Sequence, residues 1–169
     1  MEYQTLTLEY AQQLVAFPEI YLIFSDWESF NKVEVDAMAY LSNTKIPIRL
    51  PNVRNIESDC AKHIINHKGF LAIGISELTD ELLAQAFLNG RDHLIFSNLK
   101  KIAKPCYKYF EDQKTYIHFT ELNQFDDDLL TSISKHAGDL AFDSIQVWNN
   151  RQSAILNSHK GEIILNIQN

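Results

Sequence analysis

The chain has 169 residues, of which 46% are hydrophobic, and this composition fits a single domain with a continuous core. Its formal net charge of −7 disfavours a nucleic acid or an anionic membrane as partner, because phosphate binding depends on clustered Lys and Arg. The N-terminus lacks the basic start and apolar run of a signal peptide, and no stretch approaches a membrane span, so we expect a cytoplasmic protein.

The first predicted element is an N-terminal helical cap over residues 1–19. Ala11, Leu14, Val15 and Phe17 follow helical spacing in this segment. Residues 20–169 follow a different, repeating pattern, and repeat proteins need an atypical unit at their ends. We therefore expect residues 1–169 to form one repeat domain, with the cap preceding the repeats.

From residue 20 onward an apolar pattern recurs every 23 residues, apart from a first step of 26. The residues that open the successive units are Leu22, Ile48, Leu71, Leu94, Ile117, Leu140 and Ile163. A fixed period of this size is typical of a solenoid, in which each unit packs only against its neighbours.

Each unit begins with alternating apolar residues, which predicts a short strand, and continues with helical spacing. Four favoured N-cap residues directly follow the apolar residue that begins the helical spacing: Asn31, Thr79, Asp126 and Asn149. Four glycines that stand just before strands fit left-handed helix ends: Gly69, Gly90, Gly138 and Gly161. Strands joined through helices run parallel, and the connection is right-handed.

These features resemble a leucine-rich repeat protein from about Leu6 to Ile167, as in the segment Leu94-Phe96-Leu99. The family's usual Asn or Cys is replaced by apolar residues, so the pattern is similar to irregular bacterial-type repeats that lack the Asn ladder. Those replacements are Trp27, Val53, Leu99, Leu122 and Ile145. The resemblance implies an α/β right-handed solenoid of about seven turns, with a parallel sheet on the concave face and helices on the convex face.

The polar residues with possible chemistry have structural interpretations. Cys60 and Cys106 fall in one column two turns apart, about 16–20 Å by helix packing distances, which is too far for a disulfide. The run Asp126–Asp128 suits the first turn of a helix. Histidines two residues before a glycine suit helix C-termini, namely His67, His136 and His159. We expect no catalytic residue, metal or cofactor.

The outward-pointing strand residues form the candidate binding site. They are Tyr21, Ile23, Arg49, Phe70, His93, Ile95, Tyr116 and His118. Aromatic residues and Arg dominate interface energetics, so this concave face predicts a non-catalytic, protein-binding scaffold. The acidic charge fits a basic partner and an inhibitor or immunity-type role.

Three alternatives accompany this interpretation. The first is an enzyme or enzyme subunit that uses His93, Tyr116 and His118 in the concave groove. The second is a purely structural assembly unit joined through its ends. The third concerns self-association, because the apolar edge strand that opens at Ile163 predicts a homodimer through edge-to-edge pairing.

Overall fold

The computed structural model describes residues 4–17, 29–145 and 149–166. The strands are β1 Gln4–Leu6, β2 Phe30–Val33, β3 Ile48–Leu50, β4 Leu71–Ile73, β5 Glu77–Leu78, β6 His93–Phe96, β7 Lys101–Ile102, β8 Tyr116–Phe119, β9 Leu140–Phe142 and β10 Ile163–Leu165. The helices are α1 Leu8–Ala16, α2 Val35–Ser42, α3 Ala61–Ile64, α4 Glu81–Leu88, α5 Asp127–Ser134 and α6 Asn150–Leu156, with 3-10 segments at Ser58–Cys60 and Lys104–Phe110.

The main sheet has six parallel strands in the order β10-β9-β8-β6-β4-β3. Its register pairs the residues that open successive units, for example Leu71 with Leu94 and Ile117 with Leu140. The position and parallel direction of six predicted strands are therefore confirmed. The seventh, expected at Leu22, lies outside the described residues.

The core lies between one face of this sheet and the helices. Three phenylalanine rings from neighbouring strands stack in it: Phe119 lies 5.6 Å from Phe96 and 5.2 Å from Phe142. Phe87 of α4 meets Phe96 edge-on at 5.9 Å, and Phe110 of the 3-10 segment lies 6.2 Å from Phe119. All five rings are fully buried. In each strand every second side chain points toward the helices, and the phenylalanines of the strands are among these.

The two cysteines belong to this core. Cys60 and Cys106 are free and fully buried. Burial raises the pKa of each thiol to about 11, so both stay protonated and unreactive at neutral pH. Their interpretation as small buried hydrophobic residues is confirmed.

Two small parallel pairings add to the main sheet and were not predicted. β1 pairs with β2, and β5 pairs with β7. The expected N-cap at Asn31 is wrong, because this residue lies within β2, whose Phe30 and Val33 are buried, and α2 begins only after Glu34. Helix α1 lies within the expected N-terminal cap, and the Thr7 side chain accepts a hydrogen bond from the Tyr10 N–H at 3.3 Å.

The remaining helix starts largely follow the expected residues. Asp126 caps α5 by accepting from the Leu129 N–H at 2.8 Å, and Asn149 forms a capping box with Gln152. The expected cap at Thr79 is wrong by one residue. Asp80 caps α4 instead, since its carboxylate accepts from the Leu82 N–H at 2.7 Å.

The glycines before the strands have two different roles. Gly90 has φ 61°, so a left-handed helix end is confirmed there. Among the described glycines no other has positive φ, so the same expectation is wrong for Gly69, Gly138 and Gly161. At Gly138 the requirement is space, because a Cβ would meet the carbonyl oxygens of Lys114 and Thr115 in the preceding connection.

The segment before β8 differs from the expected α-helix. Ile102, Cys106 and Phe110 have the spacing of an α-helix, but the chain forms the 3-10 segment Lys104–Phe110. β10 is the last strand of the sheet at its C-terminal side, and pairing of two copies through it stays a prediction. Within the described ranges no helix has the length and apolar character that crossing a bilayer requires.

Candidate functional site

The candidate site is the face of the six-stranded sheet that points away from the helices, called here the open face. One row of the register runs across it through Arg49, Ala72, Ile95, His118, Ala141 and Ile164. Arg49 is exposed and Ile95 and His118 are partly exposed, as expected for this face. Two further expected residues lie outside the described residues: Ile23, which belongs to this row, and Tyr21, which belongs to the neighbouring row.

Three rings form a continuous ladder along the open face. Phe70, His93 and Tyr116 precede the buried leucine or isoleucine of three neighbouring strands. The Phe70 and His93 rings lie 6.5 Å apart, and the His93 and Tyr116 rings lie 5.4 Å apart. The Arg49 guanidinium lies over the Phe70 ring, 5.1 Å from its centroid. We call the row of Phe70, His93 and Tyr116 the ring ladder; Arg49 lies at its β3 end.

The backbone of the sheet holds the ring ladder in place. Ile48 donates its N–H to the Phe70 carbonyl at 3.0 Å, and Tyr116 donates to the Asp92 carbonyl at 3.1 Å. His93 and Tyr116 are directly paired in the register. Ring positions are therefore fixed by parallel strand pairing, while the rings stay partly or largely exposed.

The opposite end of the open face is acidic. Asp139 and Glu162 are both exposed, and the Asp139 carboxylate accepts from the Glu162 backbone N–H at 2.8 Å. Burial raises the pKa of the Tyr116 phenol, and the charges of Asp143 and Asp139 raise it further. The ring ladder thus ends beside carboxylates at Tyr116 and beside a guanidinium at Phe70.

A histidine–carboxylate pair lies next to the ring ladder. His118 Nε2 is 2.8 Å from Asp143 Oδ1, and the Asn166 side chain donates to the same oxygen at 2.6 Å. This pair was not predicted from the sequence. The sequence signal for the pair is spacing, because Asp143 follows His118 by 25 residues, which is one unit plus two residues. The register partner of His118 is Ala141, which is small and fully buried. The imidazole therefore reaches past Ala141 to Asp143.

This pair could fix the orientation of an imidazole in the way that catalytic histidines are oriented. Among the described residues, however, no hydroxyl or thiol hydrogen-bonds to His118. No group of three or more His, Cys, Asp and Glu side chains in the described ranges is arranged to hold a metal ion. The pair shapes the open face and, through Asn166, ties β8 to the C-terminal side of the sheet.

His67 and His136, which the sequence placed at helix ends, are buried near residues that directly precede strands β4 and β8. His136 is fully buried, with Nδ1 3.0 Å from the Phe110 carbonyl and Nε2 2.8 Å from the Thr115 carbonyl. His67 Nε2 lies 3.2 Å from the Phe70 carbonyl. Burial lowers the pKa of both imidazoles. Both imidazoles therefore have a structural role, but the carbonyls near their rings lie outside the helices that they follow.

His136 and His159, one unit apart in the chain, lie next to each other. Their rings are parallel, with centroids 6.2 Å apart and an interplanar angle of 2°. Neither is part of the open face.

Comparison of the chain with protein-family models, with curated proteins and with solved structures finds no match. The chemistry and geometry of the open face are therefore the basis for assigning a function.

Proposed function

We propose that the chain is a non-catalytic, protein-binding scaffold of leucine-rich-repeat type. The proposal includes a right-handed solenoid of about seven turns, with the open face as its concave side. The 23-residue step between paired strand residues supports it, as does the packing of consecutive helices against each other. Strands lie about 4.8 Å apart and helices about 8–10 Å apart, which favours curvature toward the strands.

The main support for a binding role is the ring ladder. A solvated sheet face favours Thr, Ser, Lys and Glu, whereas this one presents Phe70, His93 and Tyr116 in a row with Arg49 at its end. Large side chains with few rotatable bonds form contacts at a low entropic cost, and Tyr and Arg are enriched among the residues that dominate binding.

The partner in this proposal is a protein whose contact surface is basic overall. The chain has a net charge of −7, and Asp139 and Glu162 lie exposed at one end of the open face. An acidic protein of this size suits the neutralisation of a basic effector, which is the inhibitor or immunity-type role. Opposite charges speed association and select against wrong partners.

The catalytic alternative has one supporting observation, the His118–Asp143 pair at 2.8 Å. We propose a binding role for this pair instead. Asp143 is shared with Asn166, and no nucleophile of the described residues bonds to the imidazole. His118 then contributes to the partner contact rather than to turnover.

The test begins with affinity capture from the cells of origin, followed by identification and purification of the protein that is captured. Its dissociation constant is then measured by calorimetry with the wild-type chain and with the triple variant Phe70→Ala, His93→Ala, Tyr116→Ala. We expect the triple variant to bind at least about 30-fold more weakly, which corresponds to roughly 2 kcal/mol.

Tyr109→Ala is the matched control. This tyrosine lies on the helical side, where its hydroxyl donates to Glu81 at 3.2 Å. We expect its loss to leave the affinity unchanged. Unchanged binding by the triple variant, with weakened binding by Tyr109→Ala, would move the interface to the helical side.

A further inference from the structure

We propose that the open face selects a partner segment of defined charge polarity: an acidic side chain beside β3, apolar or aromatic side chains over the rings, and a basic side chain beside β9 and β10. This inference rests on the proposed function and specifies the chemistry of the partner at that site.

The β3 end presents the guanidinium of Arg49. Arg49 is exposed and held over the Phe70 ring at 5.1 Å, and no carboxylate of the described residues forms an ion pair with it. The ring limits the orientations of the planar guanidinium, so its N–H groups are pre-arranged for a carboxylate. A partner Asp or Glu would form a bidentate, charge-assisted contact there.

The other end offers carboxylates without a cation. Asp139 and Glu162 are exposed, and within the described ranges neither forms an ion pair with Lys, Arg or His. They continue the row of the ring ladder on the two strands beyond Tyr116. A partner Lys or Arg would lie between the Tyr116 ring face and these carboxylates, and both features favour a cation.

The two ends set the spacing of the partner charges. β3 and β9 are four strand steps apart in the sheet order, which is about 19 Å at roughly 4.8 Å per step. An extended segment covers that distance in about six residues at ~3.3 Å each, and a helix in about thirteen at ~1.5 Å each. Between the charges, apolar side chains would lie on His93 and Ile95.

The experiment uses displayed peptide libraries, so it needs no identified partner. Four libraries share a randomised centre and differ in their fixed end residues, which are acid and base, two acids, two bases, or two glutamines. Each is made with the fixed residues six and thirteen positions apart, to distinguish extended from helical segments. We expect the wild-type chain to enrich the acid-and-base library about tenfold over the others.

Variants with reversed charge are then expected to change which library is enriched. Arg49→Glu is expected to enrich the library with two bases. The double variant Asp139→Asn, Glu162→Lys keeps the oxygen that accepts from the residue 162 N–H, and it is expected to enrich the library with two acids. Lys108→Glu, a reversal on the helical side, is the matched control and should leave the wild-type preference intact.

The outcomes separate this inference from the proposed function. Equal enrichment of all four libraries, abolished by the triple variant Phe70→Ala, His93→Ala, Tyr116→Ala, overturns the polarity and leaves the open face as the binding site. No enrichment of any library by the wild-type chain overturns both. A wild-type preference that persists in Arg49→Glu and in the double variant overturns the polarity as well.

Discussion

The helical side and the open face differ in how their charged side chains are paired. On the helical side, ion pairs join consecutive units: Lys108 with Glu81 at 2.6 Å, Lys104 with Asp128 at 2.8 Å, Lys135 with Glu111 at 3.1 Å, and Arg151 with Asp127. On the open face, Arg49 lies at one end and Asp139 and Glu162 at the other, and within the described ranges none of the three has an ion-pair partner.

This difference supports the proposal that the open face is the side that binds a partner. Most of these paired side chains are well exposed, so water screens the attraction and the pairs contribute little to folding. They nevertheless neutralise that surface locally. The open face combines uncompensated charge with aromatic surface, which favours a complementary partner over bulk water.

The largest expected effect is in the core that separates the two sides. Phe119 is fully buried between the rings of Phe96 and Phe142, so Phe119→Ala should lower the free energy of unfolding by about 3–5 kcal/mol. Urea unfolding followed by circular dichroism measures this. Leu82→Ala is the control, since Leu82 is 61% exposed and its loss should change stability by less than about 0.5 kcal/mol. Equal losses in both variants would mean that the strand register is wrong.

The second prediction concerns the buried histidines beneath the sheet ends. Burial lowers the folded-state pKa of His67 and His136 below the unfolded value of about 6.5. As pH falls below that value, the unfolded chain binds protons that the folded chain does not, so stability present at neutral pH is lost. Urea midpoints at pH 7.5 and 5.5 should therefore differ in favour of pH 7.5. His136→Gln should reduce this difference, and an unchanged difference would contradict the assignment.

The third prediction compares a ring of the open face with the core ring beside it. Tyr116 contacts His93 at 5.4 Å but stays partly exposed, so Tyr116→Ala should cost only about 0.5–1.5 kcal/mol of stability. The same urea titration measures it. A loss as large as that of Phe119→Ala would show that the ring ladder serves folding, and the contrast between the two sides would fail.

The smallest expected effect is on the helical side. Removing the pair of Lys108 with Glu81 by Lys108→Gln should leave the urea midpoint nearly unchanged, because both side chains are solvated. A double-mutant cycle with Glu81→Gln gives the coupling between the two side chains, which should shrink in high salt. A large coupling that persists in high salt would mean that these pairs help to define the fold.

The sheet could be predicted from the sequence because its signal is repeated. Each strand opens with an apolar residue one fixed step after the last, so Leu71, Leu94 and Ile117 reinforce each other. Connections between the strands carry no such repetition. The short pairing of β5 with β7 and the strand at Asn31 depend on contacts between distant residues, which local spacing does not encode.

Glycine and histidine roles were predicted less well because one residue type serves several purposes. Gly90 and Gly138 both precede a strand, but one has positive φ and the other requires room for a neighbouring carbonyl. His136 and His118 differ in a similar way: one is buried between carbonyls and the other pairs with Asp143 on the open face. Periodicity placed these residues correctly along the chain, but it could not give their partners.

The most direct test of the account is a methyl NMR titration with the partner identified by affinity capture. Ile95 is partly exposed on the open face, and Leu82 is exposed on the helical side, so their methyl groups report on the two sides within one sample. We expect addition of the partner to shift or broaden the Ile95 signal and to leave Leu82 unchanged. A response at Leu82 with an unchanged Ile95 signal would show that the partner binds the helical side.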